Sequence, residues 1–401
     1  MTAFSAVALA GLLFVSILLA WAPEKWAVSL LEVGSFALAA AWAVRLAIRP
    51  QRLERSLAIL PLAGAVLWSI LQLSMGWSIY PRETSNALLM WTTNLAVFAV
   101  ALQVFSNLTL RDRFLRATLW FGFALSVIAT LAMFTSPGRV FWVFPVASER
   151  APAGPFLSPN QYAAFIELVL PMALTRAAGG TRKRLPYTLM AAALYASVIA
   201  SASRAGFLLT SLEIVTALAL CFRAHRATLG GIGRAAAVLA ASILLFAAVV
   251  GPEALWERLK RPDPYAGRRE MLDSTLDMIR DRPWTGFGLG TWSTAYPAYA
   301  RYDDGLFANH AHNDWAQWTA EGGVPFLALL ASIAIWSLRP ALRSRWGIGV
   351  LAVLLHCLVD YPLQKPALAA FFFALVAALA SSTKETKIQL DSVIETYTIA
   401  G

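Results

Sequence analysis

Residues 86–116 read NALLMWTTNLAVFAVALQVFSNLTLRDRFLR. No charged residue occurs from Asn86 to Leu110, and then Arg111, Arg113 and Arg116 follow closely. A bilayer core of about 30 Å needs about 20 apolar residues in a helix, and the run at about 86–109 supplies them. The same unit recurs along the chain, at about 3–22, 26–47, 56–75, 114–134, 160–178, 186–202, 204–222, 235–251, 322–338, 346–362 and 366–380. Composition agrees with this reading. Of 401 residues, 58% are hydrophobic and only 14% are charged. So few charges cannot cover the outside of a water-soluble domain, and a disordered chain is excluded on the same ground.

The formal net charge is +10. A nucleic-acid surface is the usual reading of such a balance, but no basic cluster here stands apart from an apolar run. The basic residues mark topology instead. Arg45, Arg49, Arg52 and Arg55 follow the second run, and Arg111, Arg113 and Arg116 the fourth. Arg176, Arg182, Lys183 and Arg184 follow the sixth, and Arg223, Arg226 and Arg234 the eighth. Arg339, Arg343 and Arg345 follow the tenth, and Lys384 and Lys387 the twelfth. Every second connection is basic, which is the positive-inside pattern and places both termini in the cytoplasm. Met1 to Ala10 carry no Lys or Arg, so the first run reads as a retained span rather than a cleaved signal peptide. Cys221 and Cys357 both fall in spans and suggest no disulfide.

The expected fold is therefore all-α: a polytopic integral membrane bundle of about twelve transmembrane helices. It occupies residues 1–380, with one long outward loop at 252–321 and a polar cytoplasmic tail at 381–401. A loop of that length calls for a function. Within it, Met271, Leu272, Thr275, Met278 and Ile279 mark an amphipathic helix over 267–281 that Pro283 stops. Gly286-Phe287-Gly288-Leu289-Gly290 follows. It reads as a turn packing that helix onto the membrane surface, with a phosphate-cradling loop as the weaker alternative.

The densest polar cluster runs from His310 through His312, Asn313, Asp314 and Gln317 to Glu321. Asn313, Gln317 and Glu321 are spaced to share one face of a helix leading straight into the tenth run. Two readings stand: a hydrogen-bond seam between helices, or a site in which His312 exchanges a proton near neutral pH. A zinc site built on His310 and His312 with Asp314 or Glu321 lacks a third His or Cys nearby. Asp303 and Asp304 read as solvated acids, with a divalent ion as the alternative. Arg204, at the outer end of the eighth run, either snorkels to headgroups or binds an anion. Arg268 and Arg269 open the loop helix and suit forked contacts to phosphate. Asn160 and Asp360 are further polar positions at outer span ends, whereas Glu32, Glu167 and Glu213 lie deeper, protonated, paired or lining a proton pathway. Trp284, Phe287, Trp292, Tyr296, Tyr299, Tyr302 and Phe307 make a stretch as rich in aromatics as an interfacial belt.

These blocks together resemble the O-antigen ligase and polymerase superfamily, most closely the O-antigen ligases of lipopolysaccharide assembly (WaaL type). The blocks are Gly154-Pro155-Phe156 through Asn160, Ser203-Arg204-Ala205-Gly206, Gly267-Arg268 through Gly290, His310 through Gly322, and His356 through Asp360-Tyr361-Pro362. They cover about residues 150–365; the first 150 residues agree in hydropathy alone. The resemblance implies a glycosyltransferase of the bacterial inner membrane, acting at the periplasmic face. Its donor is O-antigen on undecaprenyl diphosphate and its acceptor a sugar hydroxyl of lipid A-core. The resemblance further implies an inverting reaction with no metal or other cofactor and no nucleic-acid partner. Arg204, Arg268 and His312 match the family's functional arginines and histidine, so they are the implied catalytic residues. Arg269, Asn160, Asn313, Gln317, Glu321, His310 and Asp360 are candidates for substrate binding, and with a glycan substrate implied, the aromatic stretch from Trp284 to Phe307 is either a sugar-stacking surface or an interfacial belt. Rival readings are a polymerase whose acceptor is a second lipid-linked glycan, a protein O-oligosaccharyltransferase, and, outside the class, a secondary transporter or flippase. The last predicts charges deep in several spans.

Overall fold

The computed structural model describes residues 2–22, 25–50, 52–146, 152–178, 184–223, 266–301 and 307–381, with isolated positions between 233 and 244. The helices are α1 (Thr2–Leu18), α2 (Lys25–Ile48), α3 (Ile59–Ser74), α4 (Pro81–Phe105), α5 (Leu108–Thr135), α6 (Pro159–Ala178), α7 (Arg184–Ser201) and α8 (Arg204–Arg223). Then come α9 (Ala266–Asp281), α10 (Trp292–Ala295), α11 (Asp314–Ser344), α12 (Ile348–His356) and α13 (Pro366–Ser381). Among the described residues, the only sheet is one antiparallel hairpin of β1 (Arg139–Val140) and β2 (Phe144–Pro145). Every apolar run except the ninth falls on a helix. The ninth, 235–251, and the tail from 382 lie outside the described residues. Helices α2, α4, α5 and α11 are long and apolar enough to cross a membrane, and α1, α3, α7 and α13 are apolar but shorter.

Local chemistry sets the helix ends. Pro81 opens α4 at a position where a missing N–H costs nothing. The Asn107 side chain caps α5 by accepting from the amides of Thr109 and Leu110 at 3.1 Å each. The quoted arginines thus sit in the first turns of α5. There Asp112 pairs with Arg116 at 2.7 Å and with Arg176, from the last turn of α6, at 3.2 Å. Basic residues of two separate connections therefore gather at one end of the bundle.

Two helices are enclosed by the rest. Every residue of α6 from Pro159 to Ala173 is buried, as is every residue of α13 from Ala367 to Ser381. A helix apolar on all sides is one that neighbours surround. Phe371 of α13 meets Phe14, Phe114 and Phe165, and Phe373 meets Trp91, so α1, α4, α5 and α6 all touch it.

Three expectations need correction. The tenth run does not continue straight from the polar cluster, because α11 breaks at Gly323 (φ 70°, ψ 179°). The eleventh run is helical only over Ile348–His356, about 14 Å of rise, and the chain then turns through Asp360 into Pro362–Gln364. Finally, α11 begins at Asp314, so the loop that precedes it ends at Asn313, eight residues before the expected end at 321. Residues 252–265 and 302–306 of that loop lie outside the described residues.

The break in α11 frees carbonyls, and the glycine-rich turn takes them up. Phe287 N–H donates to Ala320 at 3.0 Å, Gly288 N–H to Glu321 at 2.9 Å, and Val324 N–H to Pro283 at 2.7 Å. Gln72 of α3 donates to the carbonyls of both Thr285 and Glu321 at 2.8 Å. Irregular backbone at membrane depth is tolerated only where protein satisfies it, and here it is satisfied. Gly286 is essential to the fit. It has φ +65°, and a Cβ there meets the Glu321 carbonyl oxygen at 2.2 Å. Gly286→Ala is expected to cost more than about 1–3 kcal/mol, the strain of such backbone alone. Gly11→Ala, where a Cβ meets nothing within 4 Å, is the neutral control. Thermal unfolding in detergent checks this; equal melting temperatures would sink the docking account.

Candidate active site

The α6 N-terminus, the start of α9, the approach to α11 and the turn after α12 meet at one carboxylate, and the link between α7 and α8 joins them through Asn160. Asp360 is 1% exposed. Its Oδ2 accepts from the Asn160 side-chain amide and from Arg268 Nη2, the latter at 3.2 Å. Its Oδ1 accepts from the Tyr361 amide at 2.8 Å and faces His312 Nδ1 at 3.4 Å. That last contact has ion-pair distance but not the alignment of a hydrogen bond. Arg268 Nη1 also donates to the Val359 carbonyl at 3.1 Å. Asn160 in turn accepts from the Ser203 hydroxyl at 2.7 Å, one residue before Arg204. Arg204 itself is half-buried as the first residue of α8.

The chain bends sharply to present these groups. His312 (φ 52°) and Ala202 (φ 56°) both take left-handed backbone without being glycine. One carries the imidazole that faces Asp360, and the other precedes Ser203 and Arg204. Strain of this kind persists where surrounding contacts over-determine it.

A second polar arm runs beside the first. The His310 ring stacks on Tyr361 at 4.3 Å between centroids, and His312 meets the same ring edge-on at 4.8 Å. Gln317 accepts from the Ala311 amide at 3.1 Å, donates to Glu321 Oε1 at 3.1 Å, and lies 3.4 Å from His310 Nδ1. The Glu321 carboxylate receives the amides of Gly290 and Trp292 at 3.0 and 3.1 Å. Gln317 and Glu321 therefore brace the loop rather than line an opening.

Electrostatics separate the two histidines. Burial, with Lys365 and His312 nearby adding to it, pushes His310 down to about 4, so it is neutral at pH 7. Burial raises Asp360 most strongly of any single influence. His312, Arg268 and His356 together outweigh it and hold the carboxyl well below the usual range. Burial and the Asp360 charge push Tyr361 up to about 12.

The structure thus brings together Asn160, Arg268, His312 and Asp360, with Ser203 linking this group to Arg204. Other candidates fall elsewhere. Asn313 does not share the helical face of Gln317 and Glu321. It is the cap of α11, accepting from Ala316 N–H at 3.0 Å and donating to the Leu358 carbonyl at 2.8 Å. Arg269 is exposed on α9, next to Arg268. The glycine-rich run is no phosphate loop, because the amides from Gly286 to Gly288 and those of Leu289, Gly290 and Trp292 are spent on protein acceptors. The aromatic stretch divides. Trp292 is wholly buried, donates to Thr275 at 3.0 Å and stacks on Tyr296, and Phe287 joins the same small core. Trp284 and Phe307 are exposed, and Tyr302 and the Asp303–Asp304 pair lie outside the described residues. Among the described residues, no three His, Cys, Asp or Glu side chains converge as metal ligands would.

Ser203, Tyr361 and Gln72 take part without having been singled out as site residues. Ser203 and Tyr361 lie beside residues that were. Gln72 is a lone amide in an otherwise apolar run, and that isolation is the signal that points to it.

The Asp360 geometry makes a pH prediction. A carboxyl whose folded pKa is depressed adds stability that is complete above its unfolded value, near 4, and is lost as pH falls through the folded one. Asp360→Asn is therefore expected to cost on the order of 3 kcal/mol at pH 7, because it breaks a buried charge network. Its deficit should shrink as pH falls below about 4. Melting temperatures of both proteins from pH 7 to pH 3 test this, and a constant gap would contradict it.

Residues 189–331 match the O-antigen ligase family. The matched segment holds Arg204, Arg268, His312 and Glu321 and stops short of Asn160 and Asp360 at either end. No curated protein matches the chain. Its apolar helices mark a membrane protein, and the stretch 189–331, well under half of the chain, is similar to the O-antigen ligase family.

Proposed function

We propose that the protein is an O-antigen ligase. It transfers O-antigen polysaccharide from undecaprenyl diphosphate to a sugar hydroxyl of lipid A-core, at the periplasmic face of the inner membrane. The observation that carries this reading is the shared carboxylate, since Asp360 holds both a guanidinium, Arg268, and an imidazole, His312. Glycosyl transfer needs both kinds of group at one place.

In the transfer, the acceptor oxygen attacks the anomeric carbon and the bond from that carbon to the phosphate oxygen breaks. The electron pair moves onto the diphosphate, and the acceptor proton must be taken up. Arg268 and Arg204 face developing negative charge, and fixed cations in a water-poor site stabilise it strongly. The acceptor proton goes to His312 Nε2. Asp360 on the Nδ1 side favours the tautomer that leaves Nε2 as the acceptor, as orienting carboxylates do. The apo separation of 3.4 Å is of the looser kind that tightens with substrate. Asn160 and Ser203 hold Asp360 and the start of α8 in register, and neutral His310 adds no competing charge.

Arg204→Ala, Arg268→Ala and His312→Ala are each expected to lower transfer by about 10²-fold or more, with the protein still inserted in the membrane. Wild-type rates in all three would remove the proposed site. Offering purified protein the lipid-linked glycan with either lipid A-core or a second lipid-linked unit tests the acceptor. Glycan on lipid A-core is the expected product. Lengthening on the lipid carrier instead would replace the ligase assignment with a polymerase.

A further inference from the structure

A second tie joins the two elements that frame the site, deeper in the bundle. Glu167 of α6 and His356, the last residue of α12, are both wholly buried, with Oε1 and Nδ1 2.8 Å apart. Glu167 lies seven residues after Asn160 on the same helix, which puts both on one face about two turns apart. His356 lies four residues before Asp360, and its carbonyl receives the amides of both Val359 and Asp360 at 3.0 Å. The same two elements are therefore clamped twice, once by Asn160 on Asp360 and once by Glu167 on His356. Between them the backbones touch: a Cβ at Gly349 of α12 meets the Glu167 carbonyl oxygen at 2.2 Å.

Stability alone does not account for the pair. Burying two ionisable groups in an apolar bundle carries a large desolvation cost, and well-packed apolar side chains of similar volume hold helices together at least as well. Glu167 Oε2 and His356 Nε2, moreover, have no hydrogen-bond partner among the described residues. What an ion pair adds over apolar contact is direction, because the imidazole is held at one rotation and one height on α6.

We propose that Glu167 and His356 are positioning residues for the transfer reaction, setting where the turn after α12 places Asp360 and, through it, Arg268 and His312. This rests on the glycosyl-transfer reading for its kinetic part. A site held 1 Å out of place by a distant change loses on the order of 10²-fold in rate.

The test removes both partners together, as Glu167→Leu with His356→Met, so that no lone buried charge is left to unfold the protein. Expected are wild-type amounts in the membrane, a kcat lower by on the order of 10²-fold, and KM values for donor and acceptor within a few-fold. Glu167→Gln, which keeps an acceptor for the imidazole N–H, should restore most of the rate. In an Asp360→Asn background the double change should add little, because both act through the same carboxylate. A second readout needs no substrate. The chain has four histidines, so ring signals of the ¹⁵N-histidine-labelled protein can be assigned by removing each in turn, and those of His312 should shift in the double variant. Unmoved His312 signals together with a wild-type kcat overturn the proposal, as does a rate loss fully additive with Asp360→Asn. If the wild-type protein transfers no glycan, the glycosyl-transfer reading fails, and the His312 signals alone then decide the positioning claim.

Discussion

A carboxylate taken out of water must be met by donors, and Asp360 draws them from across the chain. Asn160 comes from the head of α6, Arg268 from α9, His312 from the approach to α11, and the Tyr361 amide from its own turn. Each of these segments is constrained by the need to reach the same two oxygens. The left-handed backbone at His312 and the early end of α12 are local concessions to that requirement. Remote parts of the sequence acquire fixed distances because they share one acceptor, and Ser203 extends the arrangement to the start of α8.

The break in α11 is the second constraint, and it complements the first. A continuous helix through Gly322 and Gly323 would keep its own carbonyls bonded and give the glycine-rich turn nothing to grip. With the helix opened, the Ala320 and Glu321 carbonyls and the Glu321 carboxylate accept five donors from outside the helix: the amides of Phe287, Gly288, Gly290 and Trp292, and the Gln72 side chain. The loop that carries Arg268 is thereby lashed to the helix that His312 leads into. Local distortion of one helix thus orders a segment that does not itself span the membrane.

Much of this was legible in the sequence because bilayer burial and polar isolation leave plain marks. Apolar runs gave the helices, and the rarity of polar residues among them made Asn160, Arg204 and Asp360 stand out, whereas Arg268 was marked by opening the loop helix and His312 by the dense polar cluster around it. Periodicity misled where a residue caps a helix instead of entering it, as with Asn313, since spacing does not say where the first turn begins. It misled again at α12, because apolar composition continues past His356 although the helix does not. The aromatic stretch failed for another reason: Trp292 and Phe287 serve a small internal core, and the composition of a buried cluster resembles that of a sugar platform. Gln72 was passed over because its partners lie some 210 to 250 residues away, beyond any local pattern.

The enclosure of α13 has a bearing on how the molecule comes to exist. Every helix that its phenylalanines touch precedes it in the chain, and membrane helices are delivered in the order of synthesis. Until residues 366–381 arrive, α1, α4, α5 and α6 surround a slot with no protein in it. The bundle cannot close progressively behind the ribosome. Its interior is completed only when that helix enters it. The Asp360 turn directly precedes α13, so the donors around that carboxylate take their final places in the same late step. Closure of the bundle and completion of the Asp360 cluster are therefore coupled in time.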